Sequence, residues 1–201
     1  MGLWLAADPL VLASASAVRR HLLEAAGIPV EVNPASLDER SVEASVPSNN
    51  PSAVAALLAR EKALRVAATV GGRLVVGADQ TLALGERRFD KPEDRAAARA
   101  QLQALSGRTH ELHAAVAVAR NGAVLFEHVA VARLTMRPLS DPFLDRYLDA
   151  AGAAVTASVG GYQLEALGVH LFERIEGDHF TILGLPLLPL LAYLRAEWSL
   201  A

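Results

Sequence analysis

Cysteine is absent from all 201 residues. That excludes disulfides and thiolate metal sites and removes every thiol nucleophile, so any catalysis falls to oxygen, nitrogen or a bound metal. The absence suits a reducing compartment, and a cytoplasmic location is the expectation. Aromatic residues make up only 5% of the chain, which leaves few rings for bases to stack on. Neither sign of charge dominates: 19 Lys+Arg face 22 Asp+Glu, a net of -3. There is no global basic field of the kind that holds nucleic acid, although a local cluster can still bind small anions. Long apolar runs are also missing. The most apolar stretch, residues 182–194, is too short to span a bilayer and carries Pro186 and Pro189, so it reads as core and no membrane partner is expected. The opening MGLWLAADPL lacks a basic segment, a long apolar run and a cleavage pattern, so no signal peptide is expected. No Walker-type P-loop, G-x-G-x-x-G, H-E-x-x-H or G-x-S-x-G occurs.

What is present is an alanine-rich chain, 52% hydrophobic, long enough to bury a core without crosslinks. One domain over residues 1–201, with two lobes sharing a sheet as a variant, suits this length. Apolar residues 10–12 read as a strand, followed by Ser14, Ser16 and a helix closed by Gly27 and Pro29. Residues 28–32 read as a second strand, 34–51 as loop, and 51–68 as a helix. Residues 74–78 form a continuous apolar run, the mark of an interior strand covered on both faces. Pro92 opens a helix to about Leu105, and segments 111–119 and 124–135 alternate around Arg120-Asn121-Gly122-Ala123, a strong hairpin signal. A helix near 140–151, a glycine turn at Gly160-Gly161, a strand over 169–175 and a helix after Pro189 complete the chain. Strands alternating with helices, plus one hairpin, predict an α/β fold with a mixed three-layer sheet.

Several clusters can carry chemistry. In residues 12–23, LASASAVRRHLL, the helix has Ser16 as N-cap, and Arg19 and Arg20 fall in its first turn, beside the positive end of the dipole. An anion there would relieve the conflict, using backbone amides, a hydroxyl and guanidinium forks. The same segment also reads as a capped surface helix with solvated arginines. VVGADQT at 75–81 ends an apolar strand in Asp79, where a carboxylate can hold a metal or activate water, or simply start a turn. Asp38 and Glu39 offer further oxygen ligands for Mg²⁺ or belong to a solvated loop. On the wheel of residues 51–68, Val54, Leu57, Leu58 and Ala68 define the buried stripe, with Lys62 at its edge and Glu61 near its centre. Lys62 reads as a snorkelling stem and Lys91 as a loop lysine. His110 reads as a structural histidine.

Taken in order, LASASAVRRHLLEAAGI, SLDE, EKA at 61–63, VVGADQT, DKP at 90–92, LSGRTHEL and LFERIEGDHFTILGLPL resemble the Maf family of nucleotide pyrophosphatases over nearly the whole chain. The resemblance implies an inosine-triphosphatase-like fold with a cleft beside an extended sheet, a divalent cation (Mg²⁺ or Mn²⁺), a homodimer, and hydrolysis of nucleoside triphosphates to monophosphate and pyrophosphate. It implies Asp79 as general base for the attacking water. Ser16, Arg19, Lys62 and Lys91 match positions facing the phosphates, and Glu39, with Asp79, matches a carboxylate near the metal. This chain has Ala17-Val18 where the family usually has Pro-Arg, which removes an arginine tied to the pyrimidine branch. Gln80 and Glu165 resemble the branch acting on 7-methyl-GTP, but Val18 stands where that branch places an aromatic ring. Position 18 therefore leaves the base open, between a purine and a modified guanine. The family's older name also allows a second reading, a nucleotide sensor in septum formation that turns nothing over.

Overall fold

The protein is described here from a computed structural model, which covers residues 2–44, 50–197 and 199–201. Seven strands form one mixed sheet in the order β2-β1-β3-β5-β6-β7, with β4 paired to β3 outside that path. The strands are β1 (Leu10–Leu12), β2 (Val30–Val32), β3 (Val75–Leu84), β4 (Arg87–Phe89), β5 (Thr109–Arg120), β6 (Ala123–Met136) and β7 (Phe172–Glu176). The helices are α1 (Ala17–Ala25), α2 (Glu39–Ala44), α3 (Pro51–Ala67), α4 (Arg95–Leu105), α5 (Asp141–Ala151), α6 (His179–Ile182) and α7 (Leu187–Ala196). β1 pairs in parallel with both β2 and β3, while β4 and β7 pair antiparallel with β3 and β6. Among the described residues no helix is long and apolar enough to cross a membrane.

The chain condenses into two compact units. The first comprises residues 1–80, 113–130 and 178–201, the second residues 81–112 and 131–177. In the first unit, side chains alternate across the sheet as the pleat requires. Leu10, Leu12, Val76, Ala78, Val116 and Val118 pack with Leu22 and Leu23 of α1 and Leu187, Leu190 and Leu194 of α7. The intervening Val11, Ala13, Val75, Ala115, Ala117 and Ala119 pack against α3 through Ala55, Ala59, Ala63 and Val66. The three layers foreseen from sequence are therefore present. Gly77 sets how closely α3 lies on β3: a Cβ there would come within 2.1 Å of the Ala59 carbonyl oxygen and 2.6 Å of the Ala63 nitrogen.

The hairpin forms at the expected place, with Asn121 and Gly122 both at positive φ, 52° and 76°, as a two-residue primed turn demands. In the second unit, His110 is fully buried, its Nε2 lying 2.7 Å from the Tyr162 hydroxyl. Phe172 edges onto the Tyr162 ring. Gly160 and Gly161 take φ of 78° and 73° there, bearing out the glycine turn.

Several expectations need correcting. Residues 34–51 contain α2, because Asp38 caps it: its carboxylate accepts from the Ser41 amide and hydroxyl. Part of that stretch, residues 45–49, lies outside the described residues. α4 begins after Asp94, whose carboxylate accepts from the Ala97 amide at 2.7 Å, rather than at Pro92. β3 runs on to Leu84 and returns through β4 around Gly85-Glu86, so Asp79 lies within the strand instead of ending it. β7 starts at Phe172, after a tight 3₁₀ turn over Leu167–Leu171. α7 starts at Leu187, so Pro189 lies in its first turn, where no intrahelical N–H is needed. On α3 the buried stripe runs through small residues, which leaves Lys62 buried and Glu61 only half-buried. Leu57 and Ala68 lie outside the stripe, and the wheel misplaced it by overlooking the alanines.

Candidate active site

The alternation of β3 sends two neighbouring polar side chains to opposite faces of the sheet. Asp79 follows Val75 and Gly77 towards α3, and Gln80 follows Val76 and Ala78 towards α1. On the α3 face Lys62 Nζ lies 2.6 Å from Asp79 Oδ1 and 2.7 Å from Glu39 Oε1. Lys62 and Asp79 are both buried, whereas the Glu39 side chain, at the start of α2, is half exposed. One ammonium is thus shared by two carboxylates, which is how a buried charge is tolerated. Asp79 Oδ2 has no hydrogen-bond partner among the described residues.

On the other face Ser16 caps α1, its hydroxyl accepting from the Arg19 amide at 3.4 Å. The Arg19 side chain turns back over the sheet: Nε donates to Gly184 O at 2.8 Å, and Nη1 donates to Ala78 O at 2.8 Å and Ser14 Oγ at 3.1 Å. Nη2 has no hydrogen-bond partner among the described residues. Burial lowers the Arg19 pKa from its ordinary value, opposed by the charges of Asp79 and Glu39. Those two carboxylates therefore lie within electrostatic reach of the guanidinium. Arg20, by contrast, is exposed and pairs with Glu24 one turn on, so the solvated reading holds for it.

The first unit thus brings together Ser16, Arg19, Glu39, Lys62, Asp79 and Gln80. Lys91 and Glu165 belong to the second unit, where both are exposed, Lys91 between β4 and α4 and Glu165 on the turn before residues 167–171. Val18 is half-buried and packs on the α1/α7 core cluster. Sequence reasoning gave no role to Ser14 or to the turn over residues 181–184, both of which hold Arg19 or Gln80. The spaced serines of LASAS were the available signal for Ser14.

A divalent cation fits this donor set in one way only. No cluster of three or more metal-ligating side chains occurs among the described residues, so no self-sufficient protein cage is present. Two carboxylates, Glu39 and Asp79, meet on the Lys62 ammonium. Mg²⁺ is commonly held by one or two carboxylates with substrate phosphates completing its shell, and these two residues suffice for that. Asp38 contributes nothing to the set, since both its oxygens cap α2.

Comparison with known proteins shows the family. The model for "Maf-like protein" matches residues 9–197. A nucleoside triphosphate pyrophosphatase of Rhodopseudomonas palustris (strain BisB18) is 59% identical over 201 residues, covering 100% of both chains. A 7-methyl-GTP pyrophosphatase of Rhizobium etli is 54% identical over 188 residues, covering 92% of this chain and 94% of the relative. Among solved structures, a HAM1 protein from Coxiella burnetii shows a partial likeness, with TM-score 0.40, 16% identity and coverage of 64% of this chain and 72% of that one. The family match takes in every residue gathered around Asp79 and Arg19, together with Lys91 and Glu165, and on that match the chain belongs to the Maf family.

Proposed function

We propose that the protein is a nucleoside triphosphate pyrophosphatase that cleaves between the α and β phosphorus atoms. The observation that carries the reading is Asp79: a buried strand carboxylate with one oxygen on Lys62, the other without a partner among the described residues, and Arg19 within electrostatic reach. Asp79 Oδ2 accepts a proton from water as the water oxygen attacks the α phosphorus. The bond from that phosphorus to the bridging oxygen breaks, and the pair of electrons leaves with pyrophosphate. Arg19 Nη2 and the Lys62 ammonium neutralise charge on the departing oxygens. Ser16 fixes the start of α1 that presents Arg19, and Lys91 is carried over as phosphate-facing by family resemblance alone. A divalent cation, held by Glu39 and Asp79, would supply Lewis-acid polarisation of the phosphates.

For the base we propose a purine, 7-methylguanine foremost. Glu165 carries this preference, and the name of the Rhizobium etli relative supports it; Gln80 matches the same branch in sequence, but both its amide hydrogens are taken by backbone carbonyls. Val18, which lacks an aromatic face for a cationic base, limits the gain from methylation. We further propose a homodimer acting in the cytoplasm, with no nucleic acid or membrane as partner, in line with the acidic balance and the absence of cysteine.

A panel of unmodified and modified triphosphates, assayed for pyrophosphate release with Mg²⁺ and Mn²⁺, tests the proposal. The wild type should release pyrophosphate, and Asp79→Asn should lose at least about 100-fold in kcat while still binding nucleotide, as expected for removal of a general base. Full turnover by Asp79→Asn removes it from that role. Binding without turnover on any triphosphate overturns the enzyme reading in favour of the sensor.

A further inference from the structure

Gln80 stands beside Asp79 but points to the other face of the sheet, where its amide has two fixed partners. Nε2 donates to the carbonyls of Thr181 and Ile182, each at 3.0 Å. Those carbonyls belong to the short helix α6 and the turn that ends it at Gly184. The turn is also fixed at its start, where Asp178 accepts from the Thr181 amide at 2.9 Å and hydroxyl at 3.0 Å. Its far end bears the carbonyl that receives Arg19 Nε. Gly184 is confined between the same two side chains: at φ +87°, a Cβ there would lie 3.3 Å from Arg19 Nη2 and 3.5 Å from Gln80 Oε1. A carboxamide that gives both its hydrogens to backbone carbonyls has no donor left for a base.

We propose that Gln80 is a positioning residue for Arg19. It holds residues 181–184 through two carbonyls, the turn holds Nε through Gly184 O, and the guanidinium is locked with Nη2 left to meet the phosphate chain. Nη1 is fixed separately by Ala78 O and Ser14 Oγ, so the planar fork is constrained from two sides. Gln80 thereby contributes to every substrate alike, whatever its base.

This rests on the polyphosphate reading above, and a base-free probe separates the two. Inorganic tripolyphosphate with Mg²⁺ is titrated calorimetrically into the full-length protein and its variants. The wild type should bind it; if it does not, the phosphate-site reading itself fails. Given wild-type binding, Gln80→Met, which keeps the length of the side chain but not its donors, should bind about tenfold more weakly, the equivalent of about 1.4 kcal/mol. Arg19→Lys should also weaken binding, and the double variant should be no weaker than Arg19→Lys alone, because Gln80 acts only through Arg19. Wild-type affinity in Gln80→Met, or additive losses, overturns the proposal and leaves Gln80 as a reader of the base. Gln80→Glu supplies a second readout should Gln80→Met fold poorly: hydrogen exchange at Arg19 Nε, followed by NMR, should accelerate at least about tenfold as two carbonyls repel the new carboxylate. Unchanged exchange there also overturns the proposal.

Discussion

Lys62 shows how one buried cation is settled by its neighbours. Its stem lies on the alanine stripe of α3, and its ammonium reaches two carboxylates on different elements. Replacing it with methionine keeps the packing but leaves Asp79 buried without its hydrogen-bonded counter-ion. Loss of one partner of such a pair costs about 3–5 kcal/mol. Lys62→Met should therefore lower unfolding stability by about 3 kcal/mol in urea titrations as well as abolish turnover. Lys62→Met with Asp79→Asn should recover part of the stability and none of the activity. If the double variant is as unstable as the single one, the loss lies in packing and not in charge. Sequence placed Lys62 at the edge of the helix stripe, because a wheel scores lysine as polar and alanine as neutral. Only the approach of β3, which buries Ala55, Ala59 and Ala63, decides which side is inside.

That approach is a property of paired elements. α3 can lie on β3 at this distance because Gly77 presents no side chain. A methyl group at 77 would meet helix backbone, which cannot rotate away, so the helix itself must shift. Gly77→Ala should cost about 1–3 kcal/mol, the usual range for overpacking. Its effect on kcat should exceed that of an equally destabilising change elsewhere in α3, because any shift moves Lys62 relative to Asp79. Thermal unfolding measured beside kcat checks this; a stable, fully active Gly77→Ala would show that the α3–β3 spacing is not critical. Helix α2 illustrates the opposite case, in which local chemistry suffices. The Asp38–Ser41 hydrogen bonds form a cap within four residues and place Glu39 in the first turn. The pattern D-x-x-S was legible in the sequence, and it was missed because the surrounding Pro, Ser and Asn signalled loop.

At the scale of the whole molecule, a buried histidine makes stability depend on acidity. Burial lowers the His110 pKa from 6.5 to about 4. Its Nδ1 has no partner among the described residues, so a protonated ring would carry an unpaired buried N–H. Between about pH 6.5 and 4 the unfolded chain binds a proton at this position and the folded chain does not. Stability from this residue is therefore complete above about 6.5 and falls as the pH drops towards 4, by about 3 kcal/mol in all. His110→Gln should flatten the pH dependence of the melting temperature across that window while lowering its plateau. An unchanged slope would assign the acid sensitivity to other groups.

The family motifs, the extents of α3 and α5 and the Asn121-Gly122 hairpin were legible in the sequence itself. Each depends on residues close together in the chain: a cap, a turn glycine, a period of 3.6 or 2. Tertiary structure alone decided that Lys62 is inside and Glu61 is not, that Asp79 and Glu39 share its ammonium, and that Gly184 receives Arg19. Partners 17, 23 and 165 positions apart meet in these contacts. Such meetings are set by the order of strands and the pitch of the sheet, which no local pattern encodes.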